Sequence, residues 1–102
     1  MSAEKKITVI GAAILDVLAG PVNEQIFQNG SQAMETTRLS FGGDALNEAV
    51  SLSRLGVDVQ LISKVGKDEA GDRVIDYIKE NGLSAEWISQ EKGLTTGINI
   101  VL

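Results

Sequence analysis

The chain has 102 residues, 9 basic against 14 acidic side chains for a net charge of −5, 11 glycines and one proline, and it contains neither histidine nor cysteine. Those two absences exclude a Ser-His-Asp triad, a Cys-His pair, zinc or haem sites of the usual ligand set and a disulfide framework, leaving carboxylates, amides, hydroxyls, amines and backbone to do any chemistry. A 43 % hydrophobic and 23 % charged composition is that of a globular chain of one domain. Lys6–Ile10 is a β-branched run that predicts a buried strand entering a small-residue turn, Gly11-Ala12-Ala13. The apolar stretch Ile7–Ala19 is broken by Thr8 and Asp16 and is shorter than the ~20 residues of a membrane helix, so no membrane partner and a cytoplasmic location are expected. Weak alternation through Val17–Val22 predicts a second short strand, and the polar residues Asn23–Gln32 a loop. Alternation in Ala33–Phe41 predicts a third strand with one solvent or ligand face. The period then changes. Leu46, Ala49, Val50 and Leu52 or Leu55 predict a helix over Asp44–Leu55, with Asp44 as its cap and Gly56 at its end. Val57–Val65 reads as a strand, and Asp68–Asn81 as a second helix carrying Ala70, Val74, Ile75 and Ile78 on one side before Gly82. Ala85–Ile88 predicts a short strand and Thr95–Leu102 a longer one. This order indicates an α/β sheet with parallel members. Leu102 closes a strand with no turn or polar tail after it, and the expectation is a piece of a longer protein.

The basic residues form no cluster beyond Lys5-Lys6, and the four aromatics are scattered, so no nucleic-acid partner is expected. Chemistry concentrates at Phe41-Gly42-Gly43-Asp44-Ala45-Leu46-Asn47. Paired glycines between a strand and a helix let backbone approach a ligand closely, and N–H groups at the helix start favour anionic or hydroxyl oxygens. Asn47, one turn in, can donate and accept. The alternative is a tight strand-to-helix turn followed by a solvated Asn47. Asp16 interrupts an apolar run and could accept two hydroxyl hydrogen bonds from a polyol; the alternative is a turn residue capping a loop. Lys67-Asp68-Glu69-Ala70-Gly71-Asp72 lacks the spacing of a calcium loop and reads as a helix cap. Neither a Walker A loop nor a G-x-G-x-x-G motif occurs.

Gly42-Gly43, Asn47, Ala49, Gly56 and Gly66 match at every fixed position the N-terminal signature of the ribokinase-like, or PfkB, carbohydrate kinase family, which the chain resembles along essentially its whole length. Val9-Ile10-Gly11 to Asp16 resembles that family's opening strand and substrate aspartate, Gly66 to Gly71 its G-x-D-x-x-G turn, and Thr95-Thr96-Gly97 the start of a lid strand. The segments around Gly11, Gly43 and Asn47 are similar to bacterial sugar kinases of the family without a settled substrate. The resemblance implies the N-terminal part of a three-layer αβα sandwich of ribokinase type with β-sheet lid strands, so that residues 1–102 are a portion of one kinase domain. It implies ATP-dependent transfer of a γ-phosphoryl group, with Mg2+, to a hydroxyl of a sugar or polyol. Asp16, Gly42, Gly43 and Asn47 would bind the sugar, and Asn99, which shares a strand face with Thr95 and Gly97, would touch it from the lid. The family's catalytic aspartate and ATP pocket lie in a C-terminal portion without counterpart here, so the chain alone is expected to be inactive and to bind neither ATP nor Mg2+. Lid strands pair subunits in many members, which implies a homodimer. The competing readings are a nucleoside kinase of the same family, and a non-catalytic sugar-binding or dimerising module.

Overall fold

The β-branched run near the start becomes β1 (Ile7–Ile10) in the computed structural model, which describes residues 6–102. β1 pairs in parallel with β4 (Val59–Gly66), and β4 in parallel with β5 (Ile88–Glu91). Parallel neighbours need long returns. Here these are α2 (Asp44–Arg54) and α3 (Glu69–Glu80). Both helices cover one face of the sheet: Leu46, Ala49 and Val50 from α2 and Val74 and Ile78 from α3 join Val9, Leu61 and Val65 in the buried core. Fully buried residues such as Leu46, Leu61 and Ile78 each contribute about 1.5–3 kcal/mol. On the opposite face Ile10 is 72 % exposed, and no helix among the described residues covers it.

The other strands form a second sheet that stands off this body as a lid. β2 (Ile14–Gly20) is its centre, antiparallel to β3 (Thr36–Gly42) and parallel to β6 (Ile98–Val101). A one-turn helix, α1 (Ile26–Asn29), lies in the connection between β2 and β3, where the sequence predicts only a loop.

Several boundaries differ from the sequence pattern, for physical reasons. The second strand starts at Ile14 rather than Val17, because Ile14 already pairs with Gly42 and the Leu15 N–H donates to the Gly97 carbonyl. Asp16 therefore stands within a strand and not in a turn. Asp44 is not the cap of α2. Gly43 holds that position without a side-chain bond, and the Leu46 N–H near the helix start donates to the Ala12 carbonyl at 3.3 Å, so the β1–β2 connection does the capping. Asp44 remains in the first turn, where its charge suits the helix dipole. Asp68 does cap α3 as the sequence indicates. The strand predicted over Ala85–Ile88 runs instead over Ile88–Glu91, where Ser63 to Gly66 offer partners. The last strand runs over Ile98–Val101 rather than Thr95–Leu102, and the Thr96 N–H is engaged by Asp68 instead of a ladder.

Candidate functional site

The cross-strand register turns separate sequence positions into rows. Asp16 stands opposite Ser40 on β3 and opposite Asn99 on β6, so Ser40, Asp16 and Asn99 form one polar row on one face of the lid. In the row beneath, Ile14 is flanked by Gly42 on β3 and by Gly97, where an added Cβ would come within 2.8 Å of the Ile14 Cγ2. Neither glycine has room for a side chain, because Ile14 fills the space beside Gly97 and the Asp16 carboxylate that over Gly42. Above lies the row Arg38, Leu18 and Val101. The reverse face is apolar, with Phe41, Leu15 and Ile98 below and Leu39, Val17 and Ile100 above. Its lower part leans on α3, where Phe41 stacks on Tyr77 with ring centroids 4.3 Å apart.

The Asp16 carboxylate folds down over Gly42. Its Oδ2 lies 2.6 Å from where a Cβ of residue 42 would be, so a side chain there would compete with it for space. Its Oδ1 is buried and has no hydrogen-bond partner among the described residues. A buried carboxylate oxygen left unpaired is costly, and a ligand hydroxyl donating to it removes the cost. Gly43 follows with φ of +95°, and a Cβ there would run into the Ala12 carbonyl oxygen. Its own carbonyl accepts from the Asn47 N–H at 2.9 Å, which places Asn47 one turn into α2 with its side chain exposed. Asp16, Gly42 and Asn99 are thus brought together on the lid face, with Gly43 at the adjoining corner. Asn47 stands on the neighbouring helix, and no hydrogen bond joins its side chain to Asp16 or Asn99.

The other organised polar cluster fixes the start of the last lid strand. Asp68 Oδ1 accepts from the Gly71 N–H at 2.7 Å and from the Thr96 hydroxyl at 2.6 Å, and Oδ2 accepts from the Thr96 N–H at 2.9 Å. The Thr96 hydroxyl oxygen in turn accepts from the Gly66 N–H at 2.8 Å. These bonds, the Thr96 hydroxyl first and then the Thr96 and Gly71 N–H groups, hold the Asp68 carboxyl below its ordinary pKa. Side chains at Gly66 or Gly71 would strike the Leu94 carbonyl or the Gly66 carbonyl respectively, so the latch closes only around glycines.

Sequence reasoning placed Gly97 on the face of Asn99, as found, and missed Ser40 and Thr96 as members of these groups. Ser40 was signalled by its place between Leu39 and Phe41 in an alternating strand. Thr96 carried no signal of its own, since its partner Asp68 lies 28 residues away.

Residues 4–102 match the family described as pfkB family carbohydrate kinase. A 5-dehydro-2-deoxygluconokinase of Clostridium botulinum (strain Alaska E43 / Type E3) is 35 % identical over 94 residues, which are 91 % of this chain and 26 % of that protein. Among solved structures, a fructokinase with bound ATP from Xylella fastidiosa is similar with a TM-score of 0.77 and 27 % identity over 93 % of this chain and 26 % of its own. The aminoimidazole riboside kinase of Salmonella enterica, complexed with aminoimidazole riboside and an ATP analog, gives a TM-score of 0.76 and 26 % identity over 95 % of this chain and 29 % of its own. The chain spans between 18 % and 31 % of the length of curated relatives that it matches.

Proposed function

Since the chain belongs to the pfkB family of carbohydrate kinases, we propose that it is the acceptor-binding N-terminal portion of a kinase that moves the γ-phosphoryl of ATP to a hydroxyl of a sugar or polyol. The observation that carries this reading is the buried Oδ1 of Asp16, without a partner among the described residues and set between Ser40 and Asn99 in the row above Gly42 and Gly97. In this assignment Asp16 accepts hydrogen bonds from acceptor hydroxyls, and Asn99 and Asn47 each offer an amide that donates and accepts. Gly42 and Gly43 let the sugar approach the backbone at the start of α2, where N–H groups favour hydroxyl oxygens. These residues bind and orient; the hydroxyl so held is positioned for in-line attack, and positioning supplies much of the catalysis in phosphoryl transfer.

ATP and Mg2+ are assigned to the rest of the kinase. Among the described residues no group of three or more acidic side chains comes together as metal ligands. The base that takes the hydroxyl proton is assigned to the same remainder. The apolar reverse face of the lid, with Ile98 49 % and Ile100 67 % exposed, supports pairing of two lids as the mode of association. No described helix is long and apolar enough to cross a membrane.

The test is Asp16→Ala in the complete kinase. Sugar binding is expected to weaken by about 1.5–3 kcal/mol, the worth of a charge-assisted hydrogen bond, while ATP affinity stays unchanged. Sugar affinity by calorimetry equal to that of the unaltered protein would remove Asp16 from the site.

A further inference from the structure

We infer that the acceptor of this kinase carries an anionic group, a carboxylate or a phosphate, and that Arg38 on the lid receives it; the inference rests on the acceptor-binding reading of the row through Asp16. Arg38 pairs across the ladder with Leu18, two residues along β3 from Ser40, which puts it on the Asp16 face one row further out. Two residues of strand separate the rows by about 7 Å, a span that a single monosaccharide bridges. The chain has three arginines. Arg54 donates to the Asn81 side chain and Arg73 pairs with Glu69, whereas Arg38 has no ion pair or hydrogen bond among the described residues. Its neighbours in the row, Leu18 and Val101, offer no charge. Arg38 lines an open hollow of about 450 Å³ at the outer end of the lid with Leu18, Ala19, Thr36, Thr37 and Leu102, next to the Asp16 row but not lined by it.

The chemistry of the two groups is complementary. At one end of this face a buried carboxylate oxygen lacks a donor, and at the other a guanidinium lacks an acceptor. A neutral polyol satisfies the first and leaves the second unused. A sugar acid or sugar phosphate satisfies both, because the planar fork of arginine takes a carboxylate or phosphate through two parallel hydrogen bonds. With a net charge of −5 on the chain, a fixed cation on the binding face also offsets repulsion of an anionic acceptor.

The experiment measures phosphorylation by the complete kinase with three sets of acceptors: neutral fructose and ribose; gluconate and other aldonates, ketoaldonates and uronates; and fructose 6-phosphate and ribose 5-phosphate. The highest kcat/KM is expected in one of the two anionic sets, and which one tells carboxylate from phosphate. Arg38→Gln is then expected to raise KM for that acceptor about tenfold or more, with kcat and the KM for ATP nearly unchanged and with partial recovery in Arg38→Lys. Preference for a neutral sugar, or an Arg38→Gln enzyme with unaltered KM for its best acceptor, overturns the inference. It would leave Arg38 as a charge guarding the open edge of β3. Failure to phosphorylate any acceptor in the three sets would instead overturn the kinase reading itself.

Discussion

An L-residue at position 43 would have to hold a φ of +95° and would drive its Cβ into the Ala12 carbonyl, so Gly43→Ala is expected to lower folding stability by about 1–3 kcal/mol in chemical denaturation. At position 42 the obstacle is different. The space there belongs to Asp16 Oδ2, and Gly42→Val is expected to raise the KM for sugar by displacing that carboxylate while the KM for ATP stays constant. Adjacent glycines with one appearance in the sequence thus have separate jobs, one serving the turn and one making room for the Asp16 carboxylate. Asp16 is legible in the sequence as a charge breaking an apolar run. Its setting is not, because the ladder that puts it on a strand is completed by Gly42 and Gly97, residues far along the chain whose pairing no local pattern reports.

At the scale of elements, the helices follow their apolar spacing closely, since α2 and α3 each bury one stripe against one sheet and end at marked glycines. The strands shift by up to three residues because pairing partners, and not alternation, decide where a strand starts. The junction of β4, α3 and β6 shows the same rule in polar form. The folded chain keeps Asp68 ionised where the unfolded chain already takes up a proton, since the carboxyl lies below its ordinary 3.8. The resulting stabilisation is complete above that value and is lost as the pH falls through it toward the lower folded value. Denaturation curves between neutral and strongly acidic pH are expected to show this loss, and Asp68→Asn to show a smaller one. Thr96→Val is expected to destabilise by about 1–3 kcal/mol, because the buried Gly66 N–H loses its acceptor, and to reduce the acid-dependent loss, because Asp68 loses the hydroxyl that does most to lower its pKa. Equal stability of Thr96→Val and the unaltered protein would show that another group takes over that bond.

For the whole molecule, extents of 58 × 31 × 18 Å and a radius of gyration of 16.4 Å stand against about 13 Å for a compact chain of this length. The excess comes from a lid that projects from its body, leaving Leu39, Ile100 and Leu102 exposed. Alternation in the sequence indicates strands for both sheets alike, and nothing in it divides them into body and lid; that division came from the family resemblance. Expressed alone, the chain is expected to show no sugar-dependent ATP consumption and to elute in size-exclusion chromatography above the size of a monomer. Steady turnover by this chain would overturn the assignment of the catalytic group to the remainder. Three crossings join the lid sheet to the body among the described residues: Gly11 to Ala13, Gly43, and the Thr96-Gly97 step that Asp68 holds. All of the lid's hydrogen-bonded ladder lies beyond them. Any swing of the sheet over a captured molecule therefore bends the chain along one seam of small residues, with Asp68 as its pin, shifts Phe41 on Tyr77, and carries Asp16, Ser40, Asn99 and Arg38 together on one hydrogen-bonded ladder.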